Sequence, residues 1–315
     1  MPAYVNHLAY ALGEETHSLQ QVAEEGRLVS APEALKDAGF ALQHRCGLGS
    51  TAFNLALKAA LSLREHLGNL HAIIYATALP LNANQGDPRR FQETRDVKYL
   101  MDFPASRLQA ALDLHNAAVF GLDQQACTGL LGSLRLARAI LSAEPDMSPI
   151  LCVTADRFPP EAIYEQAYNL VSDGAAACIV SGEPQGFRIL ACHGVTNGAL
   201  VQASDDQTVG TYFSYAHRVV RETLAKAGIE AAAVDWIVPQ NTNGKAWRIL
   251  SGLLGIDPAR VYAPSIGDVG HVISADNIIN LKLLEASGEA KPGHKVLLFM
   301  AGYGMNWQCT LLERV

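Results

Sequence analysis

The chain predicts an α/β fold with largely buried central strands. Three observations carry that expectation. Short apolar runs rich in β-branched and aromatic residues recur along the 315 residues, bounded by turn formers. Longer stretches with helical spacing alternate with them. Hydrophobic residues make up 49% and charged residues only 17%, a balance that fills a sizeable core and argues against disorder.

The elements follow in order. STAFNLALKAALSLREHLG predicts a helix over 50–68. HAIIYATAL (71–79) and AAVFGLD (117–123) read as strands, and TGLLGSLRLARAILSAE (128–144) as a helix. SPILCVTAD (148–156), AAACIVSG (175–182) and FRILACHGV (187–195) are further strands. YFSYAHRVVRETLAKAGI (212–229) is helical, DWIVPQ (235–240) extended, and GKAWRILSGLLGI (244–256) helical. RVYAP (260–264) is a short strand, SADNIINLKLLEASGE (274–289) a helix, and HKVLLFMAG (294–302) a last strand. Runs apolar on both faces suit a sheet covered by helices. The two halves look alike, each with a long helix, an apolar strand, a Gly-rich turn and a second helix. We place their boundary near EPQG (183–186), giving halves 1–185 and 186–315. Segment 81–107 is polar, irregular and long. It reads either as a lid or pocket wall, or as a surface excursion.

Bulk properties exclude several functions. A net charge of −7 disfavours a nucleic-acid binder, which needs a concentrated basic face. It leaves room for a local basic patch facing an acidic carrier protein or a CoA phosphate. Six cysteines lie scattered without CxxC pairs, as in a cytoplasmic chain with free thiols and no zinc site. MPAYVNHLAYALGEETHS lacks the basic region and apolar core of a signal peptide, and no run of eighteen apolar residues offers a membrane span.

Two places stand out chemically. Cys127, in LDQQACTGLLGSL, falls between a strand ending near Asp123 and a helix starting near Thr128. A thiol at a helix N-terminus feels the positive end of the backbone dipoles, which favours thiolate. Gly129 and Gly132 let other backbone come close. The competing reading is a small hydrophobe in a core, the usual fate of a free cysteine. The second place is GDVGHVISADN (267–277), where His271 stands among small residues with Asp276 beyond it.

ACTGLLGSL (126–134), SDGAAACIV (172–180), DWIVPQNTN (235–243), GDVGHVISADN (267–277) and KPGHKVLLFMAGYGMNW (291–307) resemble, in order and spacing, β-ketoacyl-ACP synthase III of the thiolase superfamily. The resemblance runs from about residue 110 onward, weakens over 40–110 and is poor before 40. It implies a thiolase-like five-layered αβαβα fold of two similar halves, usually a homodimer, with a heterodimer of related subunits as the alternative. It implies no tightly bound cofactor and no metal. The acyl donor is an acyl-CoA or acyl carrier protein, presented on phosphopantetheine. Cys127 falls on the position that takes the acyl group. The oxyanion hole falls on the backbone N–H groups of Cys127 and Tyr303, within Gly302-Tyr303-Gly304. Arg45 falls near the nucleotide-side mouth, and Arg248 on a carrier-docking face.

The sequence departs from the family at Tyr303, where the family prefers Gly. A Tyr there implies a changed φ/ψ or a side chain pointing into the site, either of which narrows the pocket. It departs at two further positions. The family's Pro-His-Gln-Ala-Asn stretch is Pro239-Gln240-Asn241-Thr242-Asn243 here, so Gln240 replaces the histidine. Its Gly-Asn-Thr-Ser stretch is Gly270-His271-Val272-Ile273, so His271 replaces the asparagine. The imidazole has changed places. Decarboxylative condensation needs two donors on an enolate oxygen, and a His beside a Gln amide supplies two N–H donors. A His beside a Cys, with a carboxylate behind it, instead activates a nucleophile or deprotonates an incoming one. Asp276 is the expected carboxylate, in the first turn of a helix that Ser274 would cap. Asp268 competes for that role, and Asp276 also reads as a plain first-turn acid. Gln240, Asn241 and Asn243 are expected to line the pocket.

Three functions follow. The first is an acyltransferase of specialised metabolism, passing an acyl group through Cys127 to a hydroxyl, amine or carbon acceptor. The second is a condensing enzyme that forms carbon–carbon bonds. The third is a non-catalytic subunit that shapes a partner's pocket. Acyl chain and acceptor are not legible.

Overall fold

The apolar runs pair into one nine-stranded sheet. The computed structural model describes residues 1–82, 85–303 and 305–315, without the side chains of Asp205, Thr208 and Val209. Ala83 and Asn84 of the 81–107 segment, and Gly304 of the glycine turn, lie outside the described residues. The strands are β1 (Tyr4–Leu12), β2 (Ala72–Ala76), β3 (Ala118–Leu122), β4 (Ile150–Asp156), β5 (Gly174–Ser181), β6 (Phe187–Thr196), β7 (Trp236–Val238), β8 (Lys295–Gly302) and β9 (Asn306–Arg314). Their order is β7-β8-β9-β6-β1-β5-β4-β2-β3.

This sheet is two arms with one plan. In the first, β3, β2 and β4 run parallel, and β5 lies antiparallel between β4 and β1. In the second, β8 pairs parallel with β7, and β9 lies antiparallel between β8 and β6. Val261 makes one parallel bridge to Ile237 on the outer side of β7. That bridge stands where β3 stands in the first arm. The strand expected over 260–264 is thus reduced to a single bridge. The arms meet along β1 and β6 through only two residue pairs, Tyr4 with Arg188 and Val5 with Phe187.

Six helices cover the arms: α1 (Ala52–Leu61), α2 (Pro104–Ala111), α3 (Gly129–Ala143), α4 (Asp205–Ala227), α5 (Gly244–Leu254) and α6 (Asp276–Ser287). α1 and α2 pack on the outer face of the first arm, and α4 and α5 on the outer face of the second. α3 and α6 lie between the arms and touch both. The layers therefore run helix, sheet, helix, sheet, helix. The two middle helices are the most deeply buried: Leu130, Leu131 and Leu134 of α3 and Ile278, Ile279 and Leu281 of α6 are all 0–1% exposed.

Local departures have local causes. α4 begins at Asp205, before the expected 212, because Ser204 forms a capping box with Gln207. Segment 81–107 holds short helical turns and the start of α2, and none of its described residues lines the pocket around Cys127. It packs beside β3, the outermost strand of the first arm, and leaves Leu100, Met101 and Phe103 exposed near exposed Val119 and Phe120. Its surface reading is the one the structure matches. No helix of the described residues is long and apolar enough to cross a membrane.

Candidate active site

After β3 the chain makes a 3₁₀ turn, Ala126–Thr128, and enters α3 at Gly129. Cys127 sits on that turn, 5% exposed, at the N-terminal end of a fifteen-residue helix. Ala126 takes a positive φ of 44°, a conformation that costs an L-residue energy and needs support. Support comes from the other half. The Ser274 hydroxyl donates to the Ala126 carbonyl at 3.1 Å. Ser274 therefore does not cap the helix that follows. α6 starts at Asp276 without a side-chain cap. Gly129 faces the Ala76 side chain and Gly132 the Gln125 amide, so the close approach expected there is by side chains rather than backbone.

His271 is clamped by its backbone. Its N–H donates to Leu170 O at 2.8 Å, and its carbonyl accepts from Ser172 N at 2.9 Å. Its Nδ1 lies 2.5 Å from Asp276 Oδ2. The same carboxylate accepts the N–H of Asn241 at 2.8 Å and that of Val272 at 2.7 Å. Both side chains are buried, His271 at 2% exposed and Asp276 at 0%. Asp268, by contrast, is exposed; its backbone carbonyl meets His44 and its side chain does not meet His271. Nδ1 is committed to Asp276, so Nε2 is the nitrogen left for Cys127.

Burial opposes charge on this imidazole. The Asp276 carboxylate and then the Cys127 thiol more than offset it, and the group is raised to about 10. The ring is therefore held protonated at neutral pH, with one N–H toward Asp276 and the other toward sulfur.

Cys127 and His271 open onto a pocket of about 370 Å³. Tyr168, Tyr212, Phe213, Tyr303 and Trp307 form aromatic walls. Gln240, Thr242 and Asn243 also line it, with Lys245 and the exposed Ile249 from α5. Gln240 Oε1 accepts the Ala301 N–H at 2.6 Å, which fixes the amide and leaves its N–H₂ end toward the pocket. A larger groove of about 790 Å³, around stacked His7 and His66, contains neither Cys127 nor His271, so its size does not make it the reaction site.

Two expectations about the pocket do not hold. Asn241 turns away from it: its side chain bonds Ser265, Gly270 and Asn280 in the interior. Arg45 is also absent from the pocket. It is 9% exposed, bonded to Gln43 and Glu25 and stacked over Tyr164, because its strand Leu42–Arg45 pairs with Glu15–Ser18 and turns it inward. Arg248 is exposed on α5, on the helix that brings Lys245 and Ile249 to the pocket. The sequence reading missed the aromatic walls. The pair Tyr212-Phe213 at the expected helix start and the Trp307 side of the glycine turn were their only signal.

The Cys127 amide N–H meets no protein acceptor among the described residues. A Cβ on Gly302 would lie 2.9 Å from that nitrogen. Tyr303 lines the pocket and takes no positive φ, so its side chain narrows the pocket without a left-handed backbone. Among the described residues, no group of three His, Cys, Asp or Glu could hold a metal.

A buried cysteine on a helix start, a paired imidazole and a two-armed five-layered fold define a thiolase-type enzyme. Models of the 3-oxoacyl-ACP synthase III N-terminal region and C-terminal domain match residues 123–198 and 224–314, together just over half of the chain. The chain belongs to this β-ketoacyl-ACP synthase III-like family of the thiolase superfamily. It is 28% identical over 309 residues to β-ketoacyl-ACP synthase III of Rhodospirillum rubrum, covering 87% of this chain and 88% of that one. Among solved structures it is similar to ChlB3, titled "Aceyltransferase", with TM-score 0.83 and 20% identity over 100% of this chain and 98% of that one. It is also similar to 3-oxoacyl-ACP synthase III of Pseudomonas aeruginosa, with TM-score 0.82 and 22% identity over the same shares.

Two predictions follow from this geometry. Gly302→Ala places a methyl group against the Cys127 amide, and acylation of Cys127 should slow about 10²–10³-fold, the cost of losing one oxyanion donor. Stopped-flow acylation measures it; an unchanged rate removes this N–H from the site. The second concerns pH. His271 is raised in the folded state from an ordinary 6.5 to about 10. Its stabilising contribution is full below about 6.5 and is lost as pH rises through about 10. With Cys127 in place, the stability advantage of Asp276 over Asp276→Asn should shrink as pH rises from 6.5 through about 10. Urea denaturation at three pH values measures it, and a flat difference contradicts the ion pair.

Proposed function

We propose that the chain is a ketosynthase III-type acyltransferase of specialised metabolism, acting in the cytoplasm. One observation supports this most: the His271 imidazole, its Nδ1 2.5 Å from the buried Asp276 carboxylate, lies beside Cys127 at a position where the family's condensing members hold an asparagine. The Cys127 sulfur attacks the carbonyl carbon of an acyl thioester of CoA or of a carrier protein. The backbone N–H groups of Cys127 and Tyr303 hold the oxyanion. The carbon–sulfur bond to the pantetheine breaks, and the leaving thiolate takes the Nε2 proton of His271. The neutral imidazole then removes the proton of an acceptor hydroxyl or amine as it attacks the acyl-enzyme. Collapse frees Cys127, and His271 again carries the proton. Asp276 orients the ring and balances its charge throughout.

Gln240 supplies one N–H to the acceptor side of the pocket. Lys245 and Arg248 on α5 give the donor's phosphate or an acidic carrier a basic approach. No resident cofactor takes part.

The test is the mass of intact protein after incubation with a panel of acyl-CoA and acyl-carrier thioesters. Acyl mass should appear on the wild type, vanish in Cys127→Ala, and form about 10²–10⁴-fold more slowly in His271→Ala. A malonyl group should stay on the cysteine without losing carbon dioxide. Carbon dioxide release coupled to product would move the assignment to condensation. Full activity of a complex carrying Cys127→Ala would move it to a non-catalytic subunit.

The chain divides in this reading into halves 1–185 and 186–315, and two copies join through β3. That strand has one unpaired edge among the described residues and carries exposed Val119 and Phe120, the sort of edge that recruits another strand. Light scattering should give twice the 33.8 kDa chain mass, and Phe120→Lys should halve it. A wild-type monomer would overturn the homodimer.

A further inference from the structure

Asn241 stands where the family's stretch has glutamine, and it lines no part of the pocket. Its side chain is spent on the interior. Nδ2 donates to Gly270 O at 2.7 Å and to Ser265 Oγ at 3.0 Å. Oδ1 accepts from Asn280 Nδ2 at 2.8 Å. The Asn280 oxygen accepts the Ser265 hydroxyl at 2.8 Å and its N–H at 3.3 Å. Asn241, Ser265 and Asn280 are 0–3% exposed, and Gly270 joins them through its carbonyl.

Two strands of evidence connect this lattice to His271. The first is backbone strain. Gly270, directly before His271, sits at φ 66° and ψ −155°, a region open essentially to glycine alone. A Cβ there would lie 2.8 Å from Leu170 O. Ile273, two residues after His271, takes φ 51°. A segment bent twice this way keeps its shape only where its surroundings over-determine it. The Gly270 carbonyl is gripped by Asn241. The second is the carboxylate. The backbone N–H of Asn241 donates to Asp276 Oδ2, the same oxygen that meets His271 Nδ1. One residue thus fixes the peptide that carries the imidazole and the oxygen that orients it.

We propose that Asn241, held by Asn280 and Ser265, is a positioning residue that aims the His271–Asp276 pair at Cys127. Asn241 touches neither substrate nor sulfur. The titratable groups facing the ring are Asp276 from α6 and Cys127 from the turn before α3. Lys245 and Tyr168, Tyr212 and Tyr303 share the pocket. The geometry stands without any acceptor being known, but its catalytic meaning rests on the acyltransferase reading.

The experiment reads the imidazole itself. ¹⁵N NMR of histidine-labelled protein follows the titration of His271, assigned with His271→Asn. Asn241→Ala keeps the backbone N–H that meets Asp276 but frees the Gly270 carbonyl and the 241 peptide from the interior. The His271–Asp276 pair loosens, and the His271 midpoint should fall by a unit or more from its raised value. Asn280→Ala should lower it in the same direction. The double variant should fall no further than Asn241→Ala alone, because both act through one chain of bonds. Asn241→Ser, which keeps a small donor near Gly270 O, should recover part of the shift and is the variant to use if alanine does not fold. With a thioester that loads Cys127, kcat should drop about 10–10²-fold with KM little changed, the signature of misaimed chemistry. An unmoved His271 titration in folded variants overturns the proposal, as does a purely additive double variant. If the titration moves but no thioester loads, positioning stands and the acyltransferase reading falls.

Discussion

The carboxylate of Asp276 is the point on which the site turns. It is wholly buried, and three donors converge on its two oxygens: the His271 ring, the Asn241 peptide and the Val272 peptide. A buried carboxylate is tolerable only with such company. The donors come from two parts of the second half, the 271–272 segment and the stretch after β7, so satisfying the charge also fixes the relation of those parts. The imidazole is protonated because of it. Stabilisation of one buried charge and placement of the imidazole beside Cys127 are here the same event.

The arrangement also explains how residues around the sulfur can change without a change of fold. The cysteine turn and α3 come from one arm, and the imidazole and carboxylate from the other. Replacing asparagine by His271 and histidine by Gln240 alters donors and acceptors around the sulfur. It leaves the strands and middle helices that hold them untouched. An aromatic-walled pocket and a fixed amide from Gln240 complete the surroundings of the sulfur.

Much of the fold was legible. Runs such as ILCVTAD and GAAACIVS are mostly apolar and buried along their whole length because both faces of their strands are covered. β1 and β9 escaped notice for physical reasons. β1 breaks its pairing register between Asn6 and Ala9, where His7 takes φ 51°, so no clean alternation survives in YVNHLAYAL. β9 alternates Trp307, Cys309 and Leu311 with Asn306, Gln308 and Thr310, which look like a solvent face. They are buried instead, with partners inside: Gln308 meets Gln125, Asn306 meets Thr196, and Thr310 meets Cys192. The residue types of the site were legible too, since an imidazole, a thiol and a carboxylate announce themselves. The direction of a side chain does not. Asn241 and Arg45 carry polar groups suited to a pocket, and each is claimed by a neighbour far away in sequence. Asn280 and Ser265 gave no signal at all, because a buried amide and a buried hydroxyl look like surface residues until their partners are known.

The position of β9 has a consequence for how the molecule comes into being. Residues 306–314 form an interior strand, flanked by β8 on one side and β6 on the other. Until that stretch has been synthesised, β6 and β8 face a gap and the second arm is not a continuous sheet. The first arm, by contrast, has all five of its strands by residue 181. A chain emerging from the ribosome can therefore order the cysteine half while the histidine half still exposes unpaired strand edges. Cys127 is in place before the sheet that backs His271 and Asp276 is closed by β9.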